Sequence, residues 1–161
     1  FGNAMSQLNK YDLQNTILEY VNLNKPLFGI CLGMQILLTE SYEYGVHKGL
    51  NLIEGKVIKI SNKGNKEVKV PHMGWNEIYP NNGKEEWKSK ILKSSLIGKS
   101  FYFVHSFVCV TKNSESNIAV CKYSDISIPA VISKGNIFGC QFHPEKSADN
   151  GLAVLRNFCE I

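Results

Sequence analysis

The residue best suited to chemistry is Cys31, which lies between two glycines in the segment Gly29-Ile30-Cys31-Leu32-Gly33. This segment lies between a predicted strand and a predicted helix, the setting of a nucleophile elbow, where glycines let the neighbouring backbone approach. A cysteine there stands at a helix N-terminus, whose dipole favours the thiolate over the thiol. The backbone N–H of Leu32 points to the same place and can bind a developing oxyanion. The alternative is a free cysteine buried in an apolar strand, which is the commonest role of such a residue.

A cysteine nucleophile needs a base, and the chain has four histidines. His47 lies in a polar segment and His72 follows a proline, so we expect a surface or structural role for both. His105 follows an apolar strand, and we expect it to pack against its neighbours. None of these three positions favours a role in proton transfer.

His143 is the histidine best placed to act as a base, because it ends the apolar run 137–142. The ends of strands are where α/β sheets present catalytic groups. In His143-Pro144-Glu145 the proline stiffens the turn, and the carboxylate of Glu145 could orient the imidazole and stabilise its charged form. Taken alone, this tripeptide is equally compatible with a structural turn. Its occurrence together with a cysteine elbow favours nucleophilic catalysis.

The elements that must position these residues follow from the spacing of apolar residues. This spacing predicts one helix or two short ones over Asn3–Val21, and a helix over Ser147–Cys159 with Ser147 or Asp149 as its N-cap. A short apolar run predicts a buried strand at Pro26–Ile30, followed at a sharp corner by a helix at Leu32–Glu40. Other strands are predicted at Lys56–Ile60, within Phe101–Thr111, and at Asn117–Tyr123, Ala130–Lys134 and Ile137–Phe142, with turns at Asn62–Asn65 and Asn81–Gly83. Helices that flank strands at both ends of the chain predict an α/β layered fold.

Composition bounds the class of protein. The 161 residues fit one domain, 1–161, with an apolar core. The net charge of +4 comes from scattered lysines and a single arginine, which argues against nucleic-acid binding. The longest uncharged stretch, Pro26–Thr39, has 14 residues and is too short to span a bilayer, so we expect no membrane segment and a cytoplasmic location. Five cysteines without a C-x-x-C pair argue against a disulfide framework and a zinc site.

Two motifs in this sequence resemble those of the class I (triad) glutamine amidotransferases. They are Gly-Ile-Cys-Leu-Gly-Met-Gln at 29–35 and Gln-Phe-His-Pro-Glu at 141–145. Within that family, four further segments are similar to the glutaminase subunits of imidazole glycerol phosphate synthase: Lys48–Gly55, Val70–Asn76, Tyr102–Ser106 and Phe142–Ser147. The resemblance implies a glutaminase-like layered fold with a central, mostly parallel sheet.

The resemblance also implies an activity and a set of site residues. It implies hydrolysis of L-glutamine to glutamate and ammonia through a γ-glutamyl thioester on Cys31, with His143 as acid and base and Glu145 holding His143. No cofactor and no metal are expected. The residues implied to contact the substrate are Leu32, Gln35, Glu43, Ser106 and Phe107. For Gln35 and Glu43 the alternative is a solvated helix face.

The ammonia requires an acceptor, and a domain that takes up all 161 residues leaves no room for the acceptor's site. The resemblance implies a heterodimer with a (β/α)8-barrel synthase/cyclase subunit that forms imidazole glycerol phosphate in histidine biosynthesis. The implied interface residues are Met73, Trp75 and Asn76, in a loop, together with Lys146; the alternative for Trp75 is a place in the core. Two other functions stay open: an amidotransferase subunit that supplies a sugar-modifying synthase, and a non-catalytic fragment.

Three departures from the family pattern bear on these expectations. Phe107 stands where the family usually has a tyrosine, so a hydroxyl contact is lost. Cys140, beside Gln141, is an unusual second thiol. The family's first strand and Gly-rich oxyanion loop are expected to precede Phe1, so we expect the domain to lack its N-terminal part.

Overall fold

The computed structural model describes residues 1–61, 68–83 and 85–161. Its helices are α1 (Gly2–Lys10), α2 (Leu13–Asn22), α3 (Leu32–Ile36) and α4 (Ala148–Cys159), and short 3-10 turns cover Asn81–Gly83, Ser94–Leu96, Ser114–Ser116 and Pro144–Lys146. Its strands are β1 (Leu27–Ile30), β2 (Glu40–Ser41), β3 (His47–Lys48), β4 (Gly55–Lys59), β5 (His72–Pro80), β6 (Ser100–His105), β7 (Phe107–Thr111), β8 (Asn117–Tyr123), β9 (Ile126–Lys134) and β10 (Ile137–Cys140).

The strands form two sheets. The larger has the order β1-β10-β9-β8-β5-β6, and the smaller has the order β3-β2-β4-β7. Strands β1 and β10 are parallel neighbours, with Ile30 opposite Cys140. Because their carboxyl ends meet at one edge of the sheet, the residues that follow them, Cys31 and 141–143, are brought together.

The α/β class is confirmed, but the sheets are mixed and not mostly parallel. Among the pairs that the structure describes, β1–β10 and β2–β4 are parallel, and the others are antiparallel. The connections 124–125 and 135–136 join β8 to β9 and β9 to β10. Two residues can join only antiparallel strands, since a parallel crossover needs a dozen or more.

Most predicted elements are present. The N-terminal helical segment is two helices, α4 matches its prediction, and the strands predicted in the second half of the chain are β6 to β10. The helix after Cys31 is shorter than predicted, because it ends at Ile36 and the chain enters β2 at Glu40. The turn at Asn81–Gly83 is a 3-10 turn. The turn predicted at Asn62–Asn65 lies outside the described residues.

The segment around Met73 and Trp75 was expected to be a loop and is part of strand β5. In the first half of this strand Met73 and Trp75 are exposed and His72 is fully buried, whereas in the second half Glu77 is exposed and Ile78 is fully buried. The first half is the reverse of the usual alternation, in which apolar residues point inward and polar residues outward. The reversed pattern explains why the spacing of apolar residues did not reveal the strand.

Two apolar clusters lie on either side of the site-bearing strands. One joins Phe101, Phe103, Phe138 and Phe142 to Val154 of α4. The other joins Met5 of α1 and Met34 of α3 to buried residues of the smaller sheet. Both ends of the β1–α3 corner are therefore held by packed side chains. Among the described residues, no helix combines the length and the hydropathy that a bilayer span requires.

Candidate active site

Cys31 lies at a strained corner between β1 and α3. Its backbone has φ 51° and ψ −106°, which a residue with a side chain rarely adopts. Its N–H donates to the carbonyl of Cys140 at 2.8 Å, so the corner is tied to the parallel neighbour strand. The side chain is half-buried, and the structure therefore places it in an elbow and not within a buried strand.

The surroundings of the Cys31 sulfur act on its pKa in opposite directions. Burial raises the pKa most, the backbone N–H of Leu32 lowers it, the charge of Glu145 raises it, and the side-chain amide of Gln141 lowers it. The net effect is a raised pKa, so the prediction that Cys31 prefers the thiolate is wrong. Helix α3 has only five residues, and its dipole does not outweigh burial.

His143 and Glu145 form a direct pair after β10. The Nδ1 of His143 lies 2.7 Å from Oε1 of Glu145, and the side chains are 20% and 49% exposed. Because this contact occupies Nδ1, the imidazole presents Nε2 for proton transfer. The part of the chain that the structure describes has no hydrogen bond between His143 and Cys31, whose sulfur instead meets Nε2 of Gln141 at 3.7 Å.

A buried serine anchors the histidine backbone. The hydroxyl of Ser147 donates to the carbonyl of His143 at 2.7 Å and accepts from the N–H of Tyr102 at 2.9 Å. The N–H of His143 donates to the carbonyl of Tyr102 at 2.9 Å. Ser147 occupies the predicted N-cap position of α4, yet its hydroxyl makes no cap hydrogen bond. It joins β6 to the turn that carries Glu145.

The residues expected to contact the substrate fall into two groups. Gln35 is buried, and its Nε2 donates to the carbonyl of Phe107 at 3.2 Å and to Oε1 of Gln141 at 3.1 Å. A solvated helix face is therefore excluded for Gln35. Leu32 follows Cys31 directly. Ser106 lies between β6 and β7, and Phe107, whose carbonyl takes part in this amide network, begins β7.

Glu43 makes contacts outside this network. It is partly exposed after β2, its N–H contacts the hydroxyl of Ser41 at 3.1 Å, and its carboxylate meets the amino group of Phe1 at 2.5 Å. The neighbouring ring of Tyr44 packs edge-on against Phe107, with the centroids 6.3 Å apart. The described contacts of Glu43 are thus with Ser41 and Phe1, and it is Tyr44 that contacts Phe107.

The residues expected at the partner interface are on the surface. Met73 is 60% exposed and Trp75 is 54% exposed, which excludes a core position for Trp75. Asn76 follows them on β5, and the exposed Lys146 lies in the turn beside Glu145. A groove of about 1060 Å³ opens between Trp75 and Asn76 of β5 and the neighbouring strand β8.

The sequence interpretation assigned no role to the pair His72 and His105. Both side chains are buried, and Nδ1 of His72 lies 2.9 Å from Nε2 of His105. The expectations of a structural role for His72 and a packing role for His105 are confirmed, but their contact depends on the pairing of β5 with β6. The role of Gln141 was missed too, although it stands within the motif that contains His143. No group of three or more potential metal ligands is present among the described residues.

Comparison with known proteins identifies the class. The family model described as glutamine amidotransferase class-I matches residues 6–161. The chain belongs to this family, and the resemblance seen in its motifs is confirmed.

Individual relatives show which members of this family the chain resembles. The chain is 45% identical to the imidazole glycerol phosphate synthase subunit HisH of Helicobacter hepaticus, over the whole chain and 71% of that protein. It is 43% identical to the HisH subunit of Wolinella succinogenes, over the whole chain and 76% of that protein. A solved structure of PurLQS from Thermotoga maritima shares the fold, with a TM-score of 0.61 and 18% identity over 92% of this chain and 67% of that one.

Proposed function

We propose that this chain is the glutaminase subunit of an imidazole glycerol phosphate synthase, a cytoplasmic enzyme of histidine biosynthesis, and that residues 1–161 act as one glutamine amidotransferase domain. The observation that carries the proposal is the arrangement at one sheet edge. Cys31 stands in an elbow with the Leu32 N–H on its sulfur, and the paired His143 and Glu145 follow the parallel neighbour strand. The HisH relatives support the choice of synthase.

In the proposed reaction the sulfur of Cys31 attacks the side-chain carbonyl carbon of glutamine. The thiol proton passes to Nε2 of His143, and the N–H of Leu32 binds the oxygen as it becomes negative. The carbon–nitrogen bond then breaks, and His143 returns the proton to the leaving ammonia. Water, deprotonated by His143, hydrolyses the γ-glutamyl thioester to glutamate and restores the thiol of Cys31.

The raised pKa of Cys31 sets a requirement on this mechanism. A thiol that is mostly protonated at neutral pH needs a base during the attack, and this base is His143 in the proposal. The carboxylate of Glu145 keeps the ring oriented and favours the imidazolium that forms. The same carboxylate disfavours a free thiolate on Cys31 before substrate binds. Proton transfer is thereby tied to the presence of glutamine.

The proposed partner is a separate (β/α)8-barrel cyclase subunit in a heterodimer. Exposed Met73 and Trp75, with Asn76 and Lys146, supply a surface on which a subunit can dock. A half-exposed tryptophan beside a groove suits an interface anchor. A docked subunit also allows ammonia to pass without mixing with bulk water, where it would become unreactive ammonium.

The proposal is tested by glutaminase assays with and without the cyclase subunit of the same organism and its ligand. Two variants form a matched pair: Cys31→Ser, and Cys159→Ser at an exposed cysteine near the end of α4. We expect Cys31→Ser to abolish glutamate release and Cys159→Ser to retain it. Glutamate release by Cys31→Ser at the parent rate would contradict the proposal, as would activity that needs a synthase of another kind.

A further inference from the structure

Gln141 places a buried side-chain amide against the sulfur of Cys31. It directly follows β10, and its backbone N–H donates to the carbonyl of Ala130 in β9 at 2.9 Å. Its side chain is fully buried, and Nε2 lies 3.7 Å from the sulfur of Cys31. The backbone of Cys31 is held against the same strand, since its N–H donates to the carbonyl of Cys140 at 2.8 Å. Strand pairing therefore fixes both partners of the contact.

The neighbours of this amide determine which of its ends faces the sulfur. An amide donates from its nitrogen and accepts at its oxygen, whereas a backbone carbonyl only accepts. The carbonyl of Phe107 lies 3.2 Å from the Gln35 amide, and the atom there must be Nε2, because an oxygen would face another oxygen. The second hydrogen of that nitrogen meets the Gln141 amide at 3.1 Å, so Oε1 of Gln141 accepts it. The Nε2 of Gln141 is left to face the sulfur.

This orientation determines how the thiol of Cys31 is used. A thiol is both a weak donor and a weak acceptor. Because the group that faces it is an N–H, the sulfur accepts on that side, and its own hydrogen points elsewhere. A reversed amide would present an oxygen and bind the thiol hydrogen. The observed amide leaves that hydrogen available to a base.

The other groups around the sulfur do not support a negative charge on it, apart from the backbone N–H that follows Cys31. Burial raises the pKa of Cys31 most, and the carboxylate of Glu145 raises it further. The thiols of Cys109 and Cys140 also interact with Cys31, and burial raises the pKa of both, so they stay neutral at pH 7. Among the described side chains around Cys31, Gln141 is the one that favours a negative charge on the sulfur.

We propose that Gln141 is a further catalytic residue of this site, and that its amide N–H stabilises the negative charge that develops on the sulfur of Cys31 in both halves of the reaction. The inference deepens the proposed function and rests on it for the identity of the substrate. The contact itself is between two groups of this chain.

Charge develops on the sulfur twice during turnover. In the first half the thiol proton passes to Nε2 of His143, the sulfur–carbon bond forms, and the amide nitrogen leaves as ammonia with the proton that His143 returns. In the second half water gives a proton to His143 and adds to the thioester carbon. The sulfur–carbon bond then breaks, and its electron pair stays on the sulfur until His143 returns the proton. An N–H that already faces the sulfur stabilises both charged stages without reorganisation.

The first test measures the ionisation of Cys31 without substrate. Iodoacetamide reacts with the thiolate, so peptide mapping after brief exposure at a series of pH values gives the midpoint of ionisation. Gln141→Met keeps the length of the side chain and removes the N–H. Because the amide lowers the pKa of Cys31, we expect its loss to raise the midpoint by about one pH unit, the shift that one hydrogen bond corresponds to. A midpoint that stays or falls would overturn the inference, since reduced access alone slows labelling without moving the midpoint.

Asn157→Leu is the matched control for the loss of a buried amide. Asn157 lies in α4, and its Nδ2 donates to the carbonyl of Ile91 at 3.0 Å. We expect this variant to lower the melting temperature and to keep the midpoint of Cys31. An equal rise of the midpoint in the control would overturn the inference, because the shift would then report a loosened core.

A measurement on the side-chain amide itself applies even if Gln141→Met does not fold. In protein with ¹⁵N-labelled glutamine, the side-chain amide signal of Gln141 should shift when Cys31→Ala removes the sulfur. An unchanged signal would show that the amide does not donate to the sulfur, and the inference would fail.

The second test uses glutamine turnover with the cyclase subunit present. We expect Gln141→Met to lower kcat about tenfold, the factor that one hydrogen bond to the reacting sulfur corresponds to, and Asn157→Leu to keep the parent rate. Turnover by Gln141→Met at the parent rate would overturn the inference. If the parent chain hydrolyses no glutamine with the cyclase, the proposed function fails, and the ionisation midpoint still decides whether Gln141 acts on Cys31.

Discussion

The two glycines that flank Cys31 are expected to respond in opposite ways to substitution by alanine. A Cβ built on Gly29 lies 2.5 Å from the carbonyl carbon of Gly33 and 2.8 Å from the nitrogen of Met34. Both are backbone atoms at the start of α3, so no flexible side chain can give way. Ordinary van der Waals contact would require α3 to move away from β1 by about 1 Å. A Cβ on Gly33 meets nothing within 4 Å.

The size of each effect follows from these distances. Overpacking of this kind typically costs about 1–3 kcal/mol, so Gly29→Ala should lower the melting temperature by about 3–10 °C in a chain of this size. A misplacement of about 1 Å at the nucleophile should reduce kcat/KM by about 10²-fold. Gly33 is in a helix, where alanine is favoured by about 0.5–1 kcal/mol, so Gly33→Ala should be neutral or slightly stabilising.

Thermal and urea unfolding of both variants, followed by glutaminase assays with the partner, measure these effects. The comparison is internal, because both substitutions add one methyl group within two residues of Cys31. Equal melting temperatures for the two variants would refute the reasoning. That result would mean that β1 and α3 are not held against each other as the structure shows.

Three other predictions concern the same site. A glutamine-analogue electrophile should modify Cys31 ahead of the other cysteines, because the proposed site holds the analogue beside Cys31, and burial raises the pKa of Cys109, Cys121 and Cys140. Modification of Cys31 should become faster as the pH rises, since its own pKa is raised. Peptide mapping at several pH values measures this modification, and a dominant signal from another cysteine would contradict the assignment. Glu145→Gln should lower kcat about 10²-fold or more, because the histidine loses its orientation. The same variant should speed labelling of Cys31 at pH 7, because the charge of Glu145 raises the pKa of Cys31 and its removal lowers that pKa. Slower labelling in this variant would show that the carboxylate does not act on the thiol. Gly151→Ala should destabilise the chain by about 1–3 kcal/mol, because the new Cβ would lie 2.7 Å from the carbonyl carbon of Pro144; unchanged urea unfolding would exclude this contact.

The local part of the site could be predicted from sequence because the relevant signals are short in range. Glycine spacing around Cys31 and the order of a strand and a helix predict the elbow, and the elbow is present. His143-Pro144-Glu145 predicts a carboxylate that orients an imidazole, and the two groups are 2.7 Å apart. Both features depend on residues within a few positions of each other.

Other predictions failed where they depended on distant segments. The pKa of Cys31 could not be inferred from a helix N-terminus, because its direction is decided by burial beneath other elements. Strand β5 was missed because in its first half the buried residue, His72, is polar and the exposed residues, Met73 and Trp75, are apolar. The mixed character of the sheets depends on which strands become neighbours, and spacing within one strand carries no information about that choice.

The sequence by itself determined the class of fold, the elbow at Cys31 and the pairing of His143 with Glu145, since these follow from local backbone preferences and from motifs of five to seven residues. Only the tertiary structure decided which groups surround those residues. It brought Gln35 together with Phe107 and Gln141, which are 72 and 106 positions away along the chain, into one hydrogen-bonded network at the sulfur of Cys31. It also joined His72 to His105 through the register of β5 and β6. Hydrogen bonds are satisfied by whatever group lies within about 3 Å, and that neighbour is set by strand order and packing, which act across the whole chain.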